Sequence, residues 1–283
     1  MTHDTAGALA SFLLPDGFRR PPVVAVLREG SVVAEGARAA ARAAAARRAA
    51  VRGSSPWAGG APVRGSDPVV LVPGFLAGDL SLALMARELR AAGHRTYRAH
   101  IRCNVGCTLD AATRLEQRIE QVAERRGSRV QLVGHSLGGM LSRGLAVRRP
   151  DLVSSLVTMG SPMLAPGAHH ASLSTGVEVL LRLSRMGLPG FMAEECVRGA
   201  CARQSFDESR EPVPPGTDFT AIWSKRDGIV DWRACVDPLA RSVEVSASHL
   251  GMAVDPRVVD AVLGSLRVAR PASAVEVDRG VSA

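Results

Sequence analysis

The sequence predicts an α/β domain, a mostly parallel sheet covered by helices on both faces, and three observations predict it. From Val69 onward, apolar strand-like runs alternate with stretches of helical periodicity, the pattern of strand–helix–strand units. Pro68-Val-Val-Leu-Val-Pro-Gly-Phe75 is an unbroken apolar run closed by a Pro-Gly turn, as expected of a strand buried on both faces. Val130-Gln-Leu-Val-Gly-His-Ser-Leu-Gly-Gly-Met140 reads as a buried strand, a Gly-x-Ser-x-Gly turn and the start of a helix.

The elements follow in order. Residues 1–65 form an N-terminal extension in which Val32 to Val51 is dominated by Ala and Arg and should be helical, since Ala has the highest helix propensity. Arg38, Arg42, Arg48 and Arg52 fall on one arc of that helix. The arc is suited to peripheral contact with an anionic membrane, but it lacks the Leu, Phe or Trp that would insert, which favours packing on the domain or on a partner. Gly53 to Pro62 reads as a linker.

The core is expected over residues 66–270. Asp79 can cap a helix carrying Leu82, Met85 and Leu89. Thr96 to His100 is strand-like, and Thr108 can cap a helix with Leu115, Ile119 and Val122 on one face. The helix after the Ser136 turn runs to Arg149, and Ser155 to Met159 forms the next strand. Asp255 and Pro256 open a final helix with Val258, Val259, Val262 and Leu266 inward. Residues 271–283 are a tail.

Between Pro162 and Phe219 the alternation stops, and a structureless loop of that length is improbable in a compact domain. Residues 163–215 are therefore expected to form a cap or lid, with Leu76, Leu180, Leu181 and Phe191 as candidate substrate or lid contacts.

The chemistry concentrates at Ser136. A serine on a strand-to-helix turn this tight projects its hydroxyl above the sheet, and the helix behind it aims backbone N–H groups at developing negative charge. Ser136 is the candidate nucleophile and the N–H of Leu137 a candidate oxyanion donor. The second donor is expected in the turn after Val72, from Phe75, or from Leu76 if the turn is offset by one. A serine needs a base and the base an orienting acid. Of the seven histidines, only His249 lies in the last part of the chain, in a loop between the strand-like Ser242 to Val245 and the helix start at Asp255. The acid should follow the strand Phe219 to Trp223, where Asp227 is the first choice. Asp231 and Asp237 remain alternatives, although Asp231 looks like a helix N-cap and Asp237 precedes a proline.

Taken together, these motifs resemble the α/β-hydrolase superfamily, in particular bacterial lipases and esterases with a Pro-Gly-Phe oxyanion turn and a Gly-His-Ser-Leu-Gly-Gly elbow. Ser161-Pro162 after the next strand adds to the likeness, which covers about residues 66 to 270. Pro73 departs from it, since many members carry histidine there. The resemblance implies a serine hydrolase acting on carboxylic esters of a moderately apolar acyl group through an acyl-enzyme, with no cofactor. An acyltransferase using the same residues and a non-catalytic lipid- or protein-binding scaffold are the rival readings. Ser136 at the elbow excludes the dehalogenase and epoxide hydrolase chemistries of this fold, which need Asp there.

Composition narrows the classes further. Of 283 residues, 22% are charged and 46% hydrophobic, a globular balance. The formal net charge is +8, with Lys225 the only lysine. No basic patch interleaved with aromatics is present, so a nucleic-acid partner is not expected. No run of about 20 apolar residues and no basic-then-apolar leader is found, so a cytoplasmic enzyme is the default expectation. Cys103, Cys107, Cys196, Cys201 and Cys235 show no Cys-x-x-Cys pairing, so no metal is expected. Reduced thiols are expected in that compartment, with a small Cys196–Cys201 disulfide loop as the alternative. His169-His170 reads as a loop pair. The oligomeric state is not legible.

Overall fold

A computed structural model describes residues 11–52 and 66–268; the linker and tail expected at 53–62 and 271–283 lie outside the described residues. Six strands, β1 (Val69–Val72), β2 (Thr96–Arg98), β3 (Val130–His135), β4 (Val153–Met159), β5 (Asp218–Trp223) and β6 (Arg241–Glu244), form one sheet in the order β2-β1-β3-β4-β5-β6. Every pairing is parallel. β1, β3 and β4 are buried at every position; β1 is accordingly an apolar run, while β3 and β4 also bury Gln131, His135, Ser154, Ser155 and Thr158.

The chain steps outward from β1 to β2 and then returns past β1 to β3. The strand order therefore reverses between β1 and β3, and the crevice at their carboxyl ends is where ligands bind in open α/β sheets. Both predicted oxyanion turns emerge at that crevice.

Helices cover both faces. On one side, α2 (Ala83–Ala91) and α7 (Pro256–Val268) place Met85, Leu89, Val258, Val259, Val262 and Leu266 in a core with Val69, Leu71 and Val133. On the other, α3 (Thr108–Arg126) and α4 (Leu137–Arg148) place Leu115, Ile119, Val122, Leu141 and Leu145 against Val70, Val72 and Leu132. Asp255 caps α7 as expected, accepting the Arg257 N–H at 2.9 Å. Thr108 does not cap α3. Cys107 occupies the N-cap, and the Thr108 hydroxyl is buried without a hydrogen-bond partner.

The N-terminal extension is built into the domain. In α1 (Val32–Val51), Arg38 pairs with Asp255 at 2.7 Å and Arg42 with Asp260 at 2.9 Å. Those two members of the basic arc thus pair with acidic groups at the start of α7 and within it, while Arg48 and Arg52 are exposed. Further upstream, Leu13 is buried and its carbonyl accepts the Gly167 N–H at 2.6 Å. No helix among the described residues is long and apolar enough to cross a membrane.

Between β4 and β5 the sheet pattern gives way to α5 (Ala171–Arg185), a single 3-10 turn at Glu194–Cys196, and α6 (Ala200–Glu208). This is the segment predicted as a cap. Its own small core joins Val177, Leu180, Leu181, Met192 and Val197, with Phe75 and Val105 of the main domain packed against it.

Candidate active site

The site is assembled from the carboxyl ends of β1, β3, β4 and β5. At the end of β3 the backbone of Ser136 takes φ 52° and ψ −123°, a conformation that costs energy for any residue with a side chain. Two close approaches hold it. A Cβ on Gly138 would stand 2.2 Å from the Val72 carbonyl oxygen, so the start of α4 lies directly on the end of β1. A Cβ on Gly74 would stand 3.0 Å from the Ser136 Cβ, which brings the Pro73-Gly74-Phe75 turn against the serine.

The Leu76 N–H is already bonded to the Asn104 carbonyl at 3.1 Å, which leaves the Phe75 N–H as the candidate donor from this turn. Leu76 itself takes φ 59° and is half exposed. Leu137 is the first residue of α4, where an N–H has no intrahelical acceptor. Asn104, which the sequence did not single out, braces the turn: its buried side-chain amide donates to the Pro73 carbonyl at 3.1 Å.

Asp227 and His249 meet as predicted, with Nδ1 of His249 2.7 Å from Oδ2 of Asp227 and both side chains buried. The other carboxylate oxygen accepts the N–H groups of Ile229 and Val230 at 2.9 and 2.8 Å, which fixes the acid's rotamer. The rival carboxylates are engaged elsewhere. Asp231 caps a short 3-10 turn through the Arg233 N–H, and Asp237 forms a buried ion pair with Arg143 at 3.0 Å.

Burial works against a charged His249, but Asp227, by charge and by hydrogen bond, and then Glu29 outweigh it, so the imidazole is raised above its ordinary value. His135 behaves oppositely. Its ring lies 4.9 Å from that of His249 and its Nε2 is 3.0 Å from the His249 carbonyl oxygen. Burial, then the proximity of His249, push it down to about 3, so it stays neutral and donates one hydrogen bond to the base loop.

Sequence reading missed the strongest brace of the site. Glu29, in the 3-10 helix Val23–Ser31, is buried. Its carboxylate accepts the N–H groups of Gly228 at 2.9 Å, His249 at 3.0 Å and Leu250 at 2.8 Å. Glu35 accepts the N–H and the hydroxyl of Ser248 at 2.8 and 2.6 Å. The only advance signal was two glutamates, Glu29 and Glu35, in a stretch from Val23 to Val51 dominated by Ala, Val and Arg.

Ser136 and Leu137 open into a cavity of about 140 Å³, lined by Phe75 and Met140 from the core, Leu173, Val177, Met192 and Phe206 from the cap, and Leu13 from the extension. Leu180 and Leu181, expected at the substrate, instead fill the cap's interior with Phe191 beside them, because the face of α5 turned to Ser136 carries Leu173 and Val177. Leu76 does not line the cavity either. His169, read from sequence as half of a loop pair, does. Its Nδ1 is 2.9 Å from the Pro166 carbonyl, and burial lowers its pKa. His170 caps α5 by accepting the Ser172 N–H at 3.1 Å.

A reversed-order parallel sheet, a strained serine at its crevice and a buried Asp–His pair whose histidine packs against the neighbouring His135 are features of the hydrolases of the α/β type. The sequence matches the alpha/beta hydrolase family over residues 69–279, and the chain belongs to that family. Among solved structures it resembles the mature form of Bacillus licheniformis lipase BlEst2, at 15% identity and a TM-score of 0.54, over 73% of this chain and 94% of that one. The propeptide form of the same lipase is similar at 15% identity and a TM-score of 0.56, over 76% of this chain and 53% of that one. At such identity the likeness concerns the fold. No protein of curated function matches the sequence.

Proposed function

We propose that this protein is a serine hydrolase that cleaves carboxylic esters with a compact apolar acyl group. The observation that carries the reading is the buried 2.7 Å contact between His249 and Asp227, whose histidine ring lies 4.9 Å from that of His135, the residue before a serine that opens into an apolar cavity. Ser136 attacks the ester carbonyl as His249 takes its proton. Asp227 holds the imidazole tautomer and stabilises the imidazolium. The N–H groups of Phe75 and Leu137 receive the oxyanion, where a fixed donor is worth about 2.7–4 kcal/mol of transition-state stabilisation. Return of the proton through His249 expels the alcohol, and water then resolves the acyl-enzyme by the same route.

The cavity suits a small acyl or aryl group, since a space of roughly 150 Å³ takes a benzene ring. A panel of esters of increasing acyl length tests this reading. Activity should peak at short chains. Leu173→Ala with Val177→Ala should move the optimum to longer chains, by several-fold per methylene at about 0.8 kcal/mol each, whereas Leu180→Ala with Leu181→Ala should lower stability and leave the profile unchanged. An optimum at long chains, or a profile moved only by the Leu180 and Leu181 pair, would contradict it.

A further inference from the structure

Three of the five cysteines converge although Cys107 lies 89 positions before Cys196 in the chain. The sulfurs of Cys107, Cys196 and Cys201 all lie within 4.8 Å of one another, and all three residues are half-buried free thiols. Cys107 is the N-cap of α3 in the main domain, Cys196 ends the 3-10 turn of the cap, and Cys201 lies in the first turn of α6. No local spacing announces this cluster, which is why the expectation of no metal fails to address it: its ligands come from two separate segments. We propose that Cys107, Cys196 and Cys201 form a trithiolate site for one soft cation, Zn²⁺ or Cu⁺, which fastens the cap to the core beside the Ser136 cavity.

The chemistry of the donors supports this. Thiolates select zinc and monovalent copper over hard cations. Sulfurs bound to zinc at 2.3 Å in a tetrahedral site stand about 3.8 Å apart, so small side-chain rotations bring this trio to a common centre. Two of the three cysteines sit at helix N-terminal ends, Cys107 as the N-cap of α3 and Cys201 in the first turn of α6. A bound cation replaces three S–H protons, which pass to solvent, and neutralises charge on the three thiolates that this creates. Cys196 also lines the cavity that Ser136 opens into, so occupancy bears on the substrate side of the cap.

The test uses the full chain, fully reduced and freed of metal. Zn²⁺ is titrated against a chromophoric chelator, Cu⁺ against a Cu⁺-selective chelator under reductant, and Co²⁺ serves as a spectroscopic probe of thiolate ligation. One equivalent should bind, with thiolate-to-cobalt charge transfer, and the tighter of the two native cations identifies the occupant. Cys107→Ser, Cys196→Ser and Cys201→Ser should each weaken binding by about 100-fold or more, above the 10–100-fold typical of outer-shell changes. Cys103→Ser and Cys235→Ser should leave it unchanged. In the unmutated protein, bound metal should shield three thiols from alkylation while the exposed Cys103 still reacts, a readout that needs no variant to fold. Absence of stoichiometric binding, binding indifferent to the three substitutions, or a disulfide between any two of the three in place of metal-shielded thiols would overturn the site. None of these outcomes depends on ester hydrolysis.

Discussion

Glu29 and His249, 220 positions apart in the chain, are joined directly: the Glu29 carboxylate accepts the His249 N–H at 3.0 Å. Through the same side chain it also holds Gly228 and Leu250, so one carboxylate ties the loop of the acid to the loop of the base. A hydrogen bond to a charged group contributes roughly 1.5–3 kcal/mol, and three N–H donors, two of them buried, lose their acceptor together if the carboxylate goes. Glu29→Gln turns an N–H₂ group toward a backbone donor. It should lower the urea midpoint and reduce kcat by roughly 10-fold or more, since each factor of ten needs only 1.36 kcal/mol of transition-state misplacement. KM should change little. Wild-type kcat and stability in that variant would remove Glu29 from the account.

The acid–base pair predicts the direction of the pH profile. Because Asp227 and Glu29 raise His249 against the pull of burial, its neutral, proton-accepting form prevails only above the ordinary histidine range. The acidic limb of kcat/KM should therefore lie above pH 6.5. The charged imidazolium contributes stability that is complete below the unfolded value and lost as pH rises through the raised one. Asp227→Asn leaves burial dominant, so the limb should move below that range while kcat falls by about 10⁴-fold. Asp237→Asn breaks the buried pair with Arg143 and should cost stability, about 3–5 kcal/mol, with the limb in place. The reverse pattern would exchange the two carboxylates.

His135 predicts acid sensitivity of the fold. Its pKa is about 3 in the folded chain, so between about pH 6.5 and 3 the unfolded chain binds a proton that the folded one refuses. The stability contributed by its neutral form is complete above 6.5 and is lost as pH falls, by roughly 1.4 kcal/mol per unit. His135→Gln should flatten that part of the stability curve in chemical denaturation at stepped pH. An unchanged slope would place the acid sensitivity in other groups.

The physical reason some features were legible in sequence is that they are local. Ser136, its flanking strand and the first turn of its helix lie within eleven consecutive residues, and the inward faces of α2, α3 and α7 follow from periodicity. The acid and base needed one further rule, chain order, and Asp227 and His249 are the two groups the fold brings together. What escaped is non-local. Glu29 and Glu35 act from an extension whose composition suggested only an Ala-Arg helix. Arg143 and Asp237 find each other across 94 positions. The lining of the cavity depended on the rotation of α5, which turns Val177 inward and encloses Leu181 in the cap, and an apolar helix with several Leu and Val does not declare that rotation in advance.

The central claim is that Ser136 is the nucleophile. Its most direct measurement is reaction of the folded protein with a fluorophosphonate, followed by mass mapping of the adduct, together with kcat/KM of Ser136→Ala on a short-chain ester. The adduct should form on Ser136 alone, and the alanine variant should remain folded, resist labelling and lose activity by about 10⁴-fold or more, as a triad member acting with its partners does. An adduct on another residue, or an alanine variant retaining more than about a tenth of kcat/KM, a loss of less than 1.4 kcal/mol, would contradict it.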